Sequence, residues 1–227
     1  AAPAVLTPRQ AGPVVAVRDG GRLLLDGVTL QGARGAAGHG ASCEGGGGLW
    51  LRRVVVTDND GRGVDSTCRL LIDQSVIGAA GLSPGNRGGG VYASGDVTLW
   101  NSFIIGNGGY DQDFGGLALH GDAAVQRSLA YLTLIGNHSR GLGSAVQCSG
   151  GDPQQWLWRS LVYGNEGRRL EASVAACIPV VIATDDQVSL GSGSIALGLN
   201  EPPQLTGDGH LQADSPVIDR LPLEDGG

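Results

Sequence analysis

Lysine and methionine are missing from this 227-residue chain, aromatic residues make up only 4% of it, and all 15 basic residues are arginine. With 22 acidic residues the formal net charge is −7. That balance excludes a basic stripe for phosphate backbones, so no nucleic acid is expected as a partner. It also argues against electrostatic docking to an anionic membrane. No apolar run approaches the roughly 18 to 20 residues of a membrane span. Amphipathic helical periodicity is absent as well, and 41 glycines among β-branched residues would penalise helix. The opening Ala1-Ala2-Pro3-Ala4 carries no signal-peptide pattern and reads as the start of a mature chain or of a trimmed one.

What is present is repetition. Leu99-Trp100-Asn101-Ser102-Phe103-Ile104-Ile105-Gly106-Asn107 recurs as Leu129 to Asn137 and Leu157 to Asn165, and less closely from Leu25, Leu51 and Leu71. The period is about 20 to 30 residues, which marks a solenoid. Each repeat holds an apolar-polar alternation ending in Gly-Asn. A second short strand follows a cluster of small residues, as in Gly89-Gly90-Val91-Tyr92. Strands this short gain stability only when each coil covers the apolar face of the next. The expected fold is all-β: a right-handed parallel β-helix of about six to eight coils. The helix is expected over residues 1–200, with Cys177 to Asp186 as one more coil. Residues 201–227 are expected to form a C-terminal cap and tail of the same domain. A cap shields the open edge of the last coil.

The L-x-N-S-x-I-x-G-N unit and Gly88-Gly89-Gly90-Val91-Tyr92 resemble the parallel β-helix repeats of bacterial secreted and surface proteins. These include the polymorphic outer-membrane-protein type within the pectin-lyase-like group. Leu211 to Asp219 resembles the closing L-x-x-x-S-P-x-I-D motif of such helices. The resemblance implies a secreted, periplasmic or cell-surface location. It does not imply an activity, since the group holds adhesins and polysaccharide-degrading enzymes alike.

Asn59, Asn107, Asn137 and Asn165 share a repeat position and read as a stacked amide ladder. The loops after them lie along one edge of the stack and form the most polar strip of the chain. Asp60, Tyr110, Asp113 and Arg140 on that strip are candidate glycan contacts. Asp111, His138 and Glu166 are the catalytic candidates, because carboxylates one or two coils apart approach glycosidase spacings of about 5 to 9.5 Å. A lyase would need a base, for which only His138, Tyr110 or His120 is suited, and Asp60, Asp111 and Asp113 could offer oxygen ligands to Ca²⁺. Otherwise no cofactor is indicated, and the four histidines lack metal-ligand spacing. Trp100 and Trp158 share an outward position two coils apart. They read either as neighbour-coil packing or as a platform for a sugar ring.

Four cysteines suit an oxidising compartment. The repeat register pairs Cys148 with Cys177, each three residues after a shared slot at Ala145 and Val174. Cys43 and Cys68, also in consecutive coils, form the other pair. Two functions follow. The first is a non-catalytic extracellular or surface protein that binds glycans or another surface. The second is a polysaccharide lyase or glycoside hydrolase acting along the stacked loops.

Overall fold

The computed structural model describes residues 3–79, 84–121, 124–141, 143–150, 156–167, 174–175, 177–185, 194–197, 203–204, 206 and 211–215. Among these residues there is no helix. Short strands stack in parallel into a β-solenoid of about six turns. Sheet I holds Arg22–Asp26, Gly48–Arg52, Arg69–Asp73, Val97–Trp100, Arg127–Ala130, Trp156–Trp158 and Ile178–Val180. Sheet II is nine-stranded and runs from Ala4–Leu6 through Val28–Gln31, Val55–Thr57, Val76–Gly78, Phe103–Ile105, Thr133–Ile135, Leu161–Tyr163 and Ala183–Thr184 to Ile195–Ala196. Sheet III holds Val15–Val17, Ala41–Cys43, Val64–Ser66, Val91–Ala93, Leu117–His120, Val146–Ser149 and Val174–Ala175. Each coil passes through the sheets in the order I, II, III. Most of the expected cap lies outside the described residues; within it, the Gln212 N–H donates to the Gln204 carbonyl at 2.8 Å.

The core is a set of columns. Leu30, Val56, Ile77, Ile104, Leu134 and Val162 pair rung by rung in sheet II, and every one is fully buried. Leu51, Ile72, Leu99, Leu129 and Leu157 form the matching column of sheet I. Each such side chain contributes about 1.5–3 kcal/mol of burial. Here one expected repeat start is corrected: the coil-three counterpart of Leu99 is Ile72, and Leu71 faces outward. A slip of one residue turns the whole strand over, and the burial of Leu70 and Ile72 fixes the register.

Two corners are held by polar stacks. Between sheets I and II, Arg53, Gln74, Asn101, Tyr131, Arg159 and Val181 all adopt left-handed backbone with φ of 46–56°. Ser75, Ser102 and Ser160 follow directly. Each Oγ donates to the carbonyl two residues back, at 2.8, 2.6 and 2.8 Å, and accepts an N–H from the preceding coil. Between sheets II and III runs the amide ladder. Asn59 Nδ2 donates to Asn86 Oδ1, Asn86 to Asn107, Asn107 to Asn137, and Asn137 to Asn165, at 2.8–3.1 Å. Asn86 is a member the repeat pattern does not show, because extra residues after Ala79 displace it. Glycines face the ladder: a Cβ on Gly63 would stand 2.7 Å from Asn86 Nδ2.

Both disulfides form as expected, Cys43–Cys68 and Cys148–Cys177, with Cα separations of 5.7 and 5.3 Å. The register used to pair them is off by one. Val174 lies opposite Val146, not Ala145, so Cys177 falls one residue beyond the rung of Cys148. Cys68 likewise lies two residues past Ser66, the rung partner of Cys43. Each bridge therefore ties a strand of sheet III to the turn that leaves the next coil.

Candidate functional site

The polar strip divides into a cleft and an open edge. The cleft has a volume of about 530 Å³ and lies where the corner loops of successive coils overhang sheet III. Its polar lining is His39, Asp60, Arg62, Asp65, Gln112 and Asp113, with Gly61 and Gly88 along its base and Phe114 as an apolar wall. Asp65 stands outward on sheet III in the column Ser42, Asp65, Tyr92, Ala118. The Arg62 guanidinium lies 4.1 Å over the Tyr92 ring and bonds Asp65 at 3.0 Å.

Every carboxylate of the cleft already has a partner. Asp65 meets both Arg62 and His39 Nε2, the latter at 3.3 Å. The Arg62 N–H donates to His39 Nδ1 at 3.0 Å, so the neutral ring carries its proton on Nε2 and donates it to Asp65. Burial holds the His39 pKa below its ordinary value, against the opposing pull of Asp65. Asp60 accepts the Gly35 N–H at 3.0 Å and lies 3.8 and 3.7 Å from Arg34 and Arg87. Asp113 pairs with Arg140.

The open edge carries the remaining candidates. Gly108, His138 and Glu166 stack on successive rungs. Tyr110 O–H donates to Glu166 Oε2 at 2.5 Å, and His138 Nε2 lies 3.8 Å from the same oxygen. The Tyr110 ring stands edge-on to His138, centroids 5.3 Å apart. The bond to Glu166 raises the Tyr110 pKa, which opposes its use as a base. None of the three lines the cleft. Asp111 sits exposed on the turn after Tyr110, and no contact joins it to His138 or Glu166 among the described residues. Asp60, Asp111 and Asp113 do not gather: among the described residues no three His, Cys, Asp or Glu side chains are placed to share a metal ion.

Trp100 and Trp158 do occupy one outward column of sheet I, with Ala130 between them. The Trp100 indole N–H donates to Ser128 Oγ at 3.0 Å, so the ring lies across the next coil, and the residue is still 46% exposed. Sequence reasoning missed His39, Asp65, Gln112 and Phe114. Each looks ordinary in its own coil, and only the closure of the solenoid brings them round one cleft. No protein family, no curated protein and no solved structure matches this chain.

Proposed function

We propose that this chain is a non-catalytic β-helix protein of the bacterial secreted or surface type, and that it binds glycans in the cleft between His39 and Phe114. The observation that carries this reading is the state of the cleft carboxylates. Asp60, Asp65 and Asp113 are each held by an arginine, which fixes the direction of their oxygens. A general acid or base needs the opposite, a carboxyl free to exchange a proton with the substrate. Fixed carboxylates with spare lone pairs suit sugar hydroxyls, which are donors and acceptors at once. Phe114 offers an apolar wall and the glycines leave room for a ring, the usual make-up of a small-molecule site. Two disulfides fit a compartment outside the cytoplasm.

The second reading, a polysaccharide lyase or glycoside hydrolase, is favoured by one observation: Tyr110, His138 and Glu166 reach one another from successive coils. Against it, Tyr110 keeps its proton in the bond it donates to Glu166, and the three side chains stand on the open edge.

Retention on immobilised polysaccharides tests the first reading. Asp60→Asn and Gln112→Ala are each expected to weaken retention about fivefold or more, the worth of roughly one hydrogen bond. His138→Ala should leave it unchanged. Retention that survives both cleft variants while their folding is intact overturns the proposal.

A further inference from the structure

Arg127 occupies a position that belongs to the core. In sheet I it pairs with Val97, which pairs with Leu70, which pairs with Leu49. Those three are buried aliphatic side chains facing the interior. Arg127 thus replaces an apolar core residue with a guanidinium. The guanidinium passes beneath the backbone of Gly121, where a Cβ would come within 2.9 Å of its terminal nitrogen.

The Nε and both terminal nitrogens of Arg127 are closed off from solvent, and none has a hydrogen-bond partner among the described residues. Asp96, whose Oδ1 takes the neighbouring Gln126 N–H, makes no ion pair with it. Burying an unpaired charge costs several kcal/mol, so a native protein normally supplies a counter-charge. Besides Asp96, the charges that act on this corner among the described residues are basic, Arg127 and Arg62. Burial holds the His120 pKa down, and the charges of Arg127 and Arg62 lower it further. His120 Nδ1 is 2.5 Å from Ser149 Oγ, which leaves its Nε2 edge for another partner. This positive spot stands in a chain of net charge −7.

We infer that the corner of sheets III and I at Arg127, His120 and Ser149 binds a small oxyanion, a sulfate, phosphate or carboxylate group, as the counter-charge of Arg127. The guanidinium supplies paired donors matched to such a group. The His120 ring and the Ser149 hydroxyl complete the site from the outer face. His120 stacks on the Tyr92 ring beneath the cleft residue Arg62, so this site adjoins the cleft, but none of its three residues lines the cleft and it does not rest on the glycan assignment.

Thermal unfolding of the full chain tests it, in sulfate and in sodium chloride of equal ionic strength, for the wild type, Arg127→Leu and His120→Gln. Sulfate stabilises most proteins by exclusion from their surface, so the comparison between variants is decisive. The expected result is a saturable rise of a few degrees in the wild type. Arg127→Leu restores the aliphatic column. It should lose the saturable part while unfolding in chloride at the wild-type temperature or above. His120→Gln should need more sulfate for the same rise. A sulfated monosaccharide as a further arm separates a free ion from a group carried on a glycan: a rise with sulfate alone assigns the first, a rise with both the second. An equal rise in the wild type and Arg127→Leu, or none in the wild type, overturns the inference.

Discussion

Single residues in this fold carry stability in proportion to how many neighbours in adjacent coils they satisfy. Asn107 is the clearest case. Its Oδ1 accepts from Asn86 N and Nδ2, and its Nδ2 donates to the Ile77 carbonyl and to Asn137 Oδ1. Asn107→Ala strands these groups in the interior, where each costs about 1–3 kcal/mol. A total loss of roughly 3–5 kcal/mol is expected by urea denaturation. His39 sets a pH dependence. Its folded pKa lies below the unfolded value of about 6.5, so the unfolded chain binds more protons in the interval between the two. Its contribution is complete above about pH 6.5 and declines as the pH falls into that interval. The physical cause is burial of the ring, which penalises its charged form, and a proton on Nδ1 would also displace the Arg62 N–H. Denaturation midpoints of wild type and His39→Asn should therefore converge as the pH drops from about 7 toward 5. His120, also held low, titrates in both proteins and cancels in the difference.

At the scale of the element, the corner between sheets I and II repeats an unusual backbone. Six non-glycine residues hold positive φ there, a conformation that costs roughly 1–2 kcal/mol for most side chains. Gln74 is one of them, with φ of 49° and an exposed side chain that makes no bond among the described residues. Gln74→Gly should raise stability by about 0.5–1 kcal/mol, the reverse of a glycine placed in a strand. Guanidinium chloride titration of the two proteins decides the sign. Most elements were legible in the sequence, because apolar-polar alternation and the Gly-Asn endings mark the strands coil by coil. The third coil was misread by one residue. Leu70, Leu71 and Ile72 are all aliphatic, so hydrophobicity alone does not say which two face inward. The same insertion that hides Asn86 breaks the spacing there.

For the whole molecule, the cleft and Arg127 show what a repeat pattern leaves out. Outward residues of sheet III vary freely from coil to coil, and their meeting at His39, Asp65 and Phe114 depends on closure of the coil. Arg127 breaks the pattern at an inward position. Read along the chain it is one polar residue in a variable turn; in the sheet it stands below Val97. The disulfides were legible as pairs because consecutive coils bring their cysteines within bridging distance, even with the register one residue astray. They close loops with separations of 25 and 29 residues. In the chain-entropy account each contributes roughly 3–4 kcal/mol. Reduction under native conditions should lower the urea midpoint accordingly. Cys148→Ser with Cys177→Ser should reproduce about half of that loss.

The central claim is that the cleft holds glycans without transforming them. The most direct test is a panel of acidic and neutral polysaccharides, with and without Ca²⁺. Binding is read by retention, and turnover by both ultraviolet absorbance of unsaturated products and new reducing ends. The account predicts retention of at least one polysaccharide, lost in Asp60→Asn, with neither product signal above a boiled control. A product signal that disappears in Glu166→Gln or His138→Ala would contradict it and make the open edge an active site.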